Sequence, residues 1–128
     1  MKRMFFVLAS VVFVQAGSGQ DFPKTSGRFE PGDRETLVFI GNSITHQCLY
    51  TQYVEDYFYT RYPDRRISFH NSGVGGDKAE DALARFDDDV AAFKPKYVTI
   101  LLGMNDGSYT KFEPQIFETY EKGMTALL

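Results

Sequence analysis

The chain has 128 residues, which is one domain or part of one. Its hydrophobic share of 43% and charged share of 24% are those of a globular chain with a modest core and no surplus of apolar surface. A net charge of −3 without a basic run excludes the cationic footprint of a nucleic-acid binder, and a single cysteine, Cys48, excludes an intramolecular disulfide and Cys-based metal clusters.

Lys2 and Arg3 precede an apolar run from Met4 to Val14 that is interrupted by Ser10, and Val14-Gln15-Ala16 offers permissive residues for cleavage. This layout predicts a secretory signal peptide over residues 1–16 and export to the periplasm or the extracellular space. The run falls short of the roughly 20 apolar residues that cross a bilayer, and an uncleaved N-terminal anchor is the alternative. With no cysteine after the run, lipid attachment is not expected. Losing Lys2 and Arg3 would take the balance from −3 to −5. Residues 17–35, polar and rich in Gly and Pro, show no period and read as a linker or mobile arm, so order is expected from Thr36.

Thr36-Leu37-Val38-Phe39-Ile40 is a continuous apolar run ending at Gly41, too short for a helix, and predicts a strand buried on both faces. Leu49, Tyr50, Tyr53, Val54, Tyr57 and Phe58 follow the helical period, and Pro63-Asp64 ends that helix. Ile67 to His70 predicts a second strand, followed by a glycine-rich loop from Asn71 to Asp77. Ala79, Ala82, Leu83, Phe86, Val90 and Phe93 predict a second helix, closed by Lys94-Pro95. Tyr97 to Leu102 is a third buried strand ending at Gly103, and Pro114 opens a last amphipathic helix through Ile116, Phe117, Tyr120 and Met124. The order β-α-β-α-β-α implies a parallel sheet with helices on its faces. Three strands make a small core with exposed edges, and a helical pattern still runs at Ala126-Leu127-Leu128, so the chain reads as the N-terminal piece of a longer domain.

In open α/β sheets ligands bind beyond the carboxyl ends of the strands. Three unusual segments stand there: Gly41-Asn42-Ser43-Ile44-Thr45, Asn71-Ser72-Gly73-Val74-Gly75-Gly76-Asp77 and Gly103-Met104-Asn105-Asp106. Ser43 sits at a strand-to-helix turn, where its hydroxyl can face solvent and its N–H can meet negative charge. A loop with glycines at 73, 75 and 76 can bring backbone N–H groups close to a ligand, and Asn105 adds an amide donor. Two N–H groups and one amide make an oxyanion hole.

These segments resemble the nucleophile, glycine and asparagine blocks of the SGNH hydrolases, the GDSL-type lipases and esterases, over residues 36–128. The resemblance implies a flavodoxin-like α/β/α sandwich with a five-stranded parallel sheet. It also implies Ser43 as nucleophile and oxyanion donor, Gly76 as second donor with Gly73 as the alternative, and Asn105 as third. Neither metal nor organic cofactor is implied, and the substrate would be a small-molecule or carbohydrate ester. Two departures stand out. Asn42 replaces the family's Asp; it can shape the turn, and with Gly73 and His46 it is expected to line the substrate pocket. The family's D-x-x-H block, which carries the base and its orienting acid, has no counterpart, since Ser43 precedes His46 by three and Ile67 precedes His70 by three. His46 as a replacement base would need hydrogen-bond reach and a third group to orient it. Cys48 reads as a small packing residue, and Asp77 and Asp106 as carboxylates that fix loop geometry. The rival readings are a catalytically inactive truncated product and a flavodoxin-like ligand-binding module. The latter lacks any Gly-x-Gly-x-x-Gly after the first strand. Oligomeric state is not legible.

Overall fold

The computed structural model describes residues 12–15, by backbone only, and 29–128. Four strands, β1 (Val12–Gln15), β2 (Thr36–Gly41), β3 (Ser68–Gly73) and β4 (Tyr97–Leu101), form one sheet in the order β1-β4-β2-β3. β2 is the central parallel strand, and its Leu37, Val38, Phe39 and Ile40 are at most 1% exposed, as expected of an apolar run with neighbours on both faces. Gly41 stands level with Gly73 on one side and Leu101 on the other, so the three parallel strands end together. The chain moves from β2 to β3 on one side and then crosses to β4 on the other, which creates a topological switch point at those ends.

On one sheet face, Val38, Ile40, Val98 and Ile100 pack with Ala79 and Ala82 of α3 (Ala79–Ala84) and Leu127 of α5 (Pro114–Leu127). Gly123 lets the two helices touch, because a Cβ there would stand 2.7 Å from that of Ala79. The opposite face is aromatic. Phe39 packs against Tyr50 and Phe69, and Phe58 of α2 (Leu49–Arg61) packs against Phe29 and Phe69. The apolar stripe of α2 is only partly covered: Phe58 is buried, whereas Tyr53 and Tyr57 flank an apolar groove of roughly 730 Å³ that runs along Leu37, Phe39 and Leu101.

The expected architecture of parallel strands and flanking helices is present, and three local expectations change. Order precedes Thr36. Phe29 meets Phe58 and Tyr97 edge-on, Pro31 is buried and accepts from Arg65 Nη1 at 2.7 Å, and Asp33 accepts the Arg66 backbone N–H at 2.8 Å. That backbone bond, with the Arg66 guanidinium, holds the Asp33 carboxyl below its usual range. The expected leader and the first part of the arm lie outside the described residues, except Val12–Gln15, which runs antiparallel to β4.

The second strand is longer than the apolar pattern suggests, because Asn71, Ser72 and Gly73 pair with Phe39, Ile40 and Gly41. Their polar groups are satisfied in place: Asn71 Nδ2 donates to Thr45 O at 2.7 Å and Ser72 Oγ to Asp89 O at 2.5 Å. The helix expected through Phe93 is divided into α3, α4 (Phe86–Asp89) and a 3-10 turn (Ala91–Phe93). The first break falls at Arg85 (φ −110°, ψ 7°), whose guanidinium turns back to the glycine loop.

A short helix, α1 (Ser43–His46), lies directly on the strand ends. A Cβ on Gly73 would stand 2.2 Å from His46 N, and one on Gly41 2.2 Å from Thr45 Oγ1. Gly73→Ala is therefore expected to cost about 3 kcal/mol by overpacking. Gly75→Ala, with nothing within 4 Å of its new Cβ, should stay within about 0.5 kcal/mol of wild type. Urea denaturation of the two variants measures the contrast.

Candidate active site

Ser43 enters on a capped turn. Asn42, in extended backbone, accepts the Ile44 N–H through Oδ1 at 3.1 Å and so caps α1. Asn42 is 1% exposed, so its side chain shapes the turn and does not line a substrate pocket, which corrects that part of the expectation. Ser43 follows as the first helical residue, half-buried. The turn is anchored from below by Thr45, fully buried, whose Oγ1 lies 2.9 Å from Tyr50 OH. Burial pushes the Tyr50 hydroxyl above its ordinary value, against the pull of its contacts with Thr45 and Thr99.

His46 is exposed at the far end of α1, with Nδ1 3.0 Å from Gly73 O. A carbonyl can only accept, so Nδ1 carries a proton, and no hydrogen bond to Nε2 is formed among the described residues. The orienting partner that sequence reasoning did not find for His46 is thus a backbone carbonyl. His70 pairs with Val38, three residues or about 10 Å below the level strand ends, and its ring stacks on Phe93 at 3.6 Å. Cys48 sits half-buried in left-handed backbone (φ 62°) and donates to His46 O at 3.3 Å.

The glycine loop is tied to the serine strand by Val74 N donating to Gly41 O at 3.0 Å. Asp77 N donates to Val74 O at 3.3 Å, closing a turn whose third residue, Gly76, has φ +89°. Turns of this kind take glycine there because an L side chain is strained at positive φ. Gly73 N is already bonded to Asn71 Oδ1 at 2.9 Å, which favours Gly76 over Gly73 as a donor to a ligand.

The third loop docks on the second. Asn105 Nδ2 donates to Asp77 O at 2.9 Å, and an amide nitrogen keeps a second hydrogen for another acceptor. Asp106 accepts from Gly103 N at 3.1 Å and Ala79 N at 2.8 Å, bolting the loop to the start of α3. The Asp77 carboxylate accepts from Arg85. Both acids fix loop geometry, as their positions suggested. Sequence reading missed Arg85, Tyr50, Thr45 and Asn71, whose roles rest on contacts between separate elements. Among the described residues, no three His, Cys, Asp or Glu side chains converge as metal ligands.

A parallel sheet with helices on its faces, carrying a serine turn, a glycine turn and an asparagine loop at adjacent strand ends, is the α/β fold of the SGNH hydrolases. The chain belongs to the GDSL-like lipase/acylhydrolase family, whose model matches residues 39–128. It is 35% identical over 91 residues to the acetylxylan esterase of Geobacillus stearothermophilus, covering 59% of this chain and 41% of that protein. The crystal structure of an acetylxylan esterase from that organism superposes with a TM-score of 0.65 at 31% identity, over 75% of this chain and 53% of the other. A gut microbial diltiazem-metabolizing enzyme gives a TM-score of 0.68 at 31% identity, over 78% of this chain and 24% of that one. The chain therefore spans about half the length, or less, of these relatives.

Tyr50→Phe would leave the Thr45 hydroxyl buried without its partner, at an expected cost of about 1–3 kcal/mol. Because folding raises the Tyr50 pKa, its contribution is full below its ordinary value of 10.0 and is lost as pH rises through the folded value. Urea midpoints measured between neutral pH and pH 11 should fall less steeply for Tyr50→Phe than for wild type.

Proposed function

We propose that Ser43 is the nucleophile of a serine esterase. Its oxyanion donors would be the N–H groups of Ser43 and Gly76 and the side-chain amide of Asn105. The observation that carries this reading is the bond from Asn105 Nδ2 to Asp77 O, next to Gly76, while Val74 N ties the same loop to the end of the serine strand. In the proposed reaction a base takes the Ser43 proton and Oγ attacks the ester carbonyl. Charge then collects on the carbonyl oxygen, facing donors that need no reorganisation. Collapse expels the alcohol and leaves an acyl-enzyme, which water hydrolyses by the reverse proton traffic.

The base in this reading is not His46 or His70. Among the described residues no hydrogen bond joins Ser43 Oγ to either histidine: His46 stands at the opposite end of α1, and His70 lies below the strand ends against Phe93. Alanine replacements of a serine, of an aspartate and of a histidine three positions after it are described as catalytic mutants of the Geobacillus stearothermophilus esterase. We propose that a corresponding Asp-His pair serves Ser43 from outside residues 1–128. His46, with its free Nε2 at the exposed end of α1, would accept a hydrogen bond from a substrate hydroxyl, beside Gly73. Acetylated carbohydrates are the proposed substrate class, supported by the acetylxylan esterase relative. Export fits that class. It is supported by the charged and apolar start of the chain and by 45% identity over 47 residues to an uncharacterized lipoprotein of Bacillus subtilis, covering 36% of this chain and 19% of that protein.

That neither histidine is hydrogen-bonded to Ser43 Oγ among the described residues favours a second reading for residues 1–128 alone: a folded but inactive polypeptide. With p-nitrophenyl acetate, the 128-residue protein and its Ser43→Ala variant should hydrolyse at equal rates within about twofold, since a serine without its base loses most of its advantage over water. Robust Ser43-dependent turnover would show that His46 or His70 serves as the base. The protein made from the complete reading frame should react with a fluorophosphonate at Ser43, and no such labelling would sink the esterase reading.

A further inference from the structure

Arg85 lies at the break between α3 and α4, with its side chain 18% exposed. Its Nε donates to Asp77 Oδ2 at 2.8 Å, with Nη2 at 2.7 Å from the same oxygen, and that carboxylate is itself only 10% exposed. Nη2 also donates to Ser72 O at 2.7 Å, and Nη1 to Asp89 Oδ2 at 2.8 Å. Ser72 and Asp77 are the residues immediately before and after the turn at 73–76. One planar cation therefore bridges the two feet of the glycine turn. The far side of the bracket is closed by Ser72 Oγ donating to Asp89 O. Lysine could supply the charge but not a planar group whose separate nitrogens reach Asp77, Ser72 and Asp89 at once.

We infer that Arg85 is a positioning residue for the site: by clamping Asp77 to Ser72 it holds Gly76 and Asn105 in register. Asp77 is the joint through which this acts. Its N–H closes the turn on Val74 O, its carbonyl receives Asn105 Nδ2, and its carboxylate is what Arg85 holds. Without the clamp the turn keeps the 3.3 Å bond from Asp77 N, the tie from Val74 to β2 and the contacts of Gly73 with Asn71 and His46, but the Asp77 side chain is released and the acceptor that orients Asn105 is no longer fixed. The functional meaning rests on the esterase reading above, whereas the clamp itself is testable without turnover.

The test uses the ¹⁵N-labelled 128-residue protein and follows the Gly76 N–H and the Asn105 side-chain NH₂ by NMR. Asp77→Asn and Arg85→Met are expected to move both signals and to speed exchange of the bonded Asn105 proton about fivefold or more, the loss of one hydrogen bond. Arg85→Lys should not restore them. Asp89→Asn, which weakens the same guanidinium's outer contact, should leave them at their wild-type positions. Unchanged Gly76 and Asn105 signals in Asp77→Asn would overturn the proposal, and so would equal shifts in Asp89→Asn, which would mark a general loosening. If Arg85→Met does not fold, the isosteric Asp77→Asn decides alone. Ser43→Ala should leave the signals in place, so a failed fluorophosphonate reaction would sink the esterase reading without touching the clamp.

Discussion

The close approach of α1 to the strand ends is the constraint on which the rest depends. Neither Gly41 nor Gly73 has room for a side chain, because the Thr45 side chain and Leu101 carbonyl at Gly41, and the Thr45–His46 backbone at Gly73, fill the space that a Cβ would take. That contact places Ser43 immediately above the switch point between β2 and β4. It also brings His46 within reach of the Gly73 carbonyl, which sets its tautomer. The turn is held from beneath by the Thr45–Tyr50 hydrogen bond and from within by the Asn42 cap. An Asn in place of the family's usual Asp suffices for that cap because a carboxamide oxygen accepts an N–H as a carboxylate does.

Around this turn the site is assembled by polar bonds between loops, with little help from the apolar core. Val74 joins the glycine turn to β2, Asn105 joins the third loop to Asp77, Asp106 joins it to α3, and Arg85 braces the glycine turn across its base. Such bonds suit a site that must present donors at fixed positions, because each donor is held by a directional partner in partly buried surroundings. The aromatic face carries a different message. The stripe of α2 that the helical period picks out is left beside an open groove, since only Phe58 among its aromatics is buried.

Much of the fold was legible because it follows from local pattern. Apolar runs at 36–40 and 97–101 are strands, periodic apolar residues at 49–58 and 116–124 are helices, and their alternation implies a parallel sheet. The errors fell where polar residues take part in regular structure. Asn71 and Ser72 belong to β3 although they read as loop, because their partners, Thr45 and Asp89, are distant in sequence. Phe29 to Glu35 read as an arm although the segment is pinned through Arg65, Arg66, Phe58 and Tyr97. The helix after Asp77 read as continuous because periodicity does not register a break that a salt bridge back to Asp77 rewards.

By itself the sequence determined the parallel α/β class, the three strand-end segments and the lack of a D-x-x-H partner for Ser43, because each is a matter of local pattern and spacing. Only the tertiary structure showed that Gly73 N is already bonded to Asn71, which bears on the choice between Gly73 and Gly76. It alone removed Asn42 from the pocket wall, gave His46 its orienting carbonyl and tied Arg85 to the glycine turn. The His46 contact and the Arg85 brace join groups 8 to 27 residues apart, and hydrogen bonding at that separation leaves no periodic trace in the sequence.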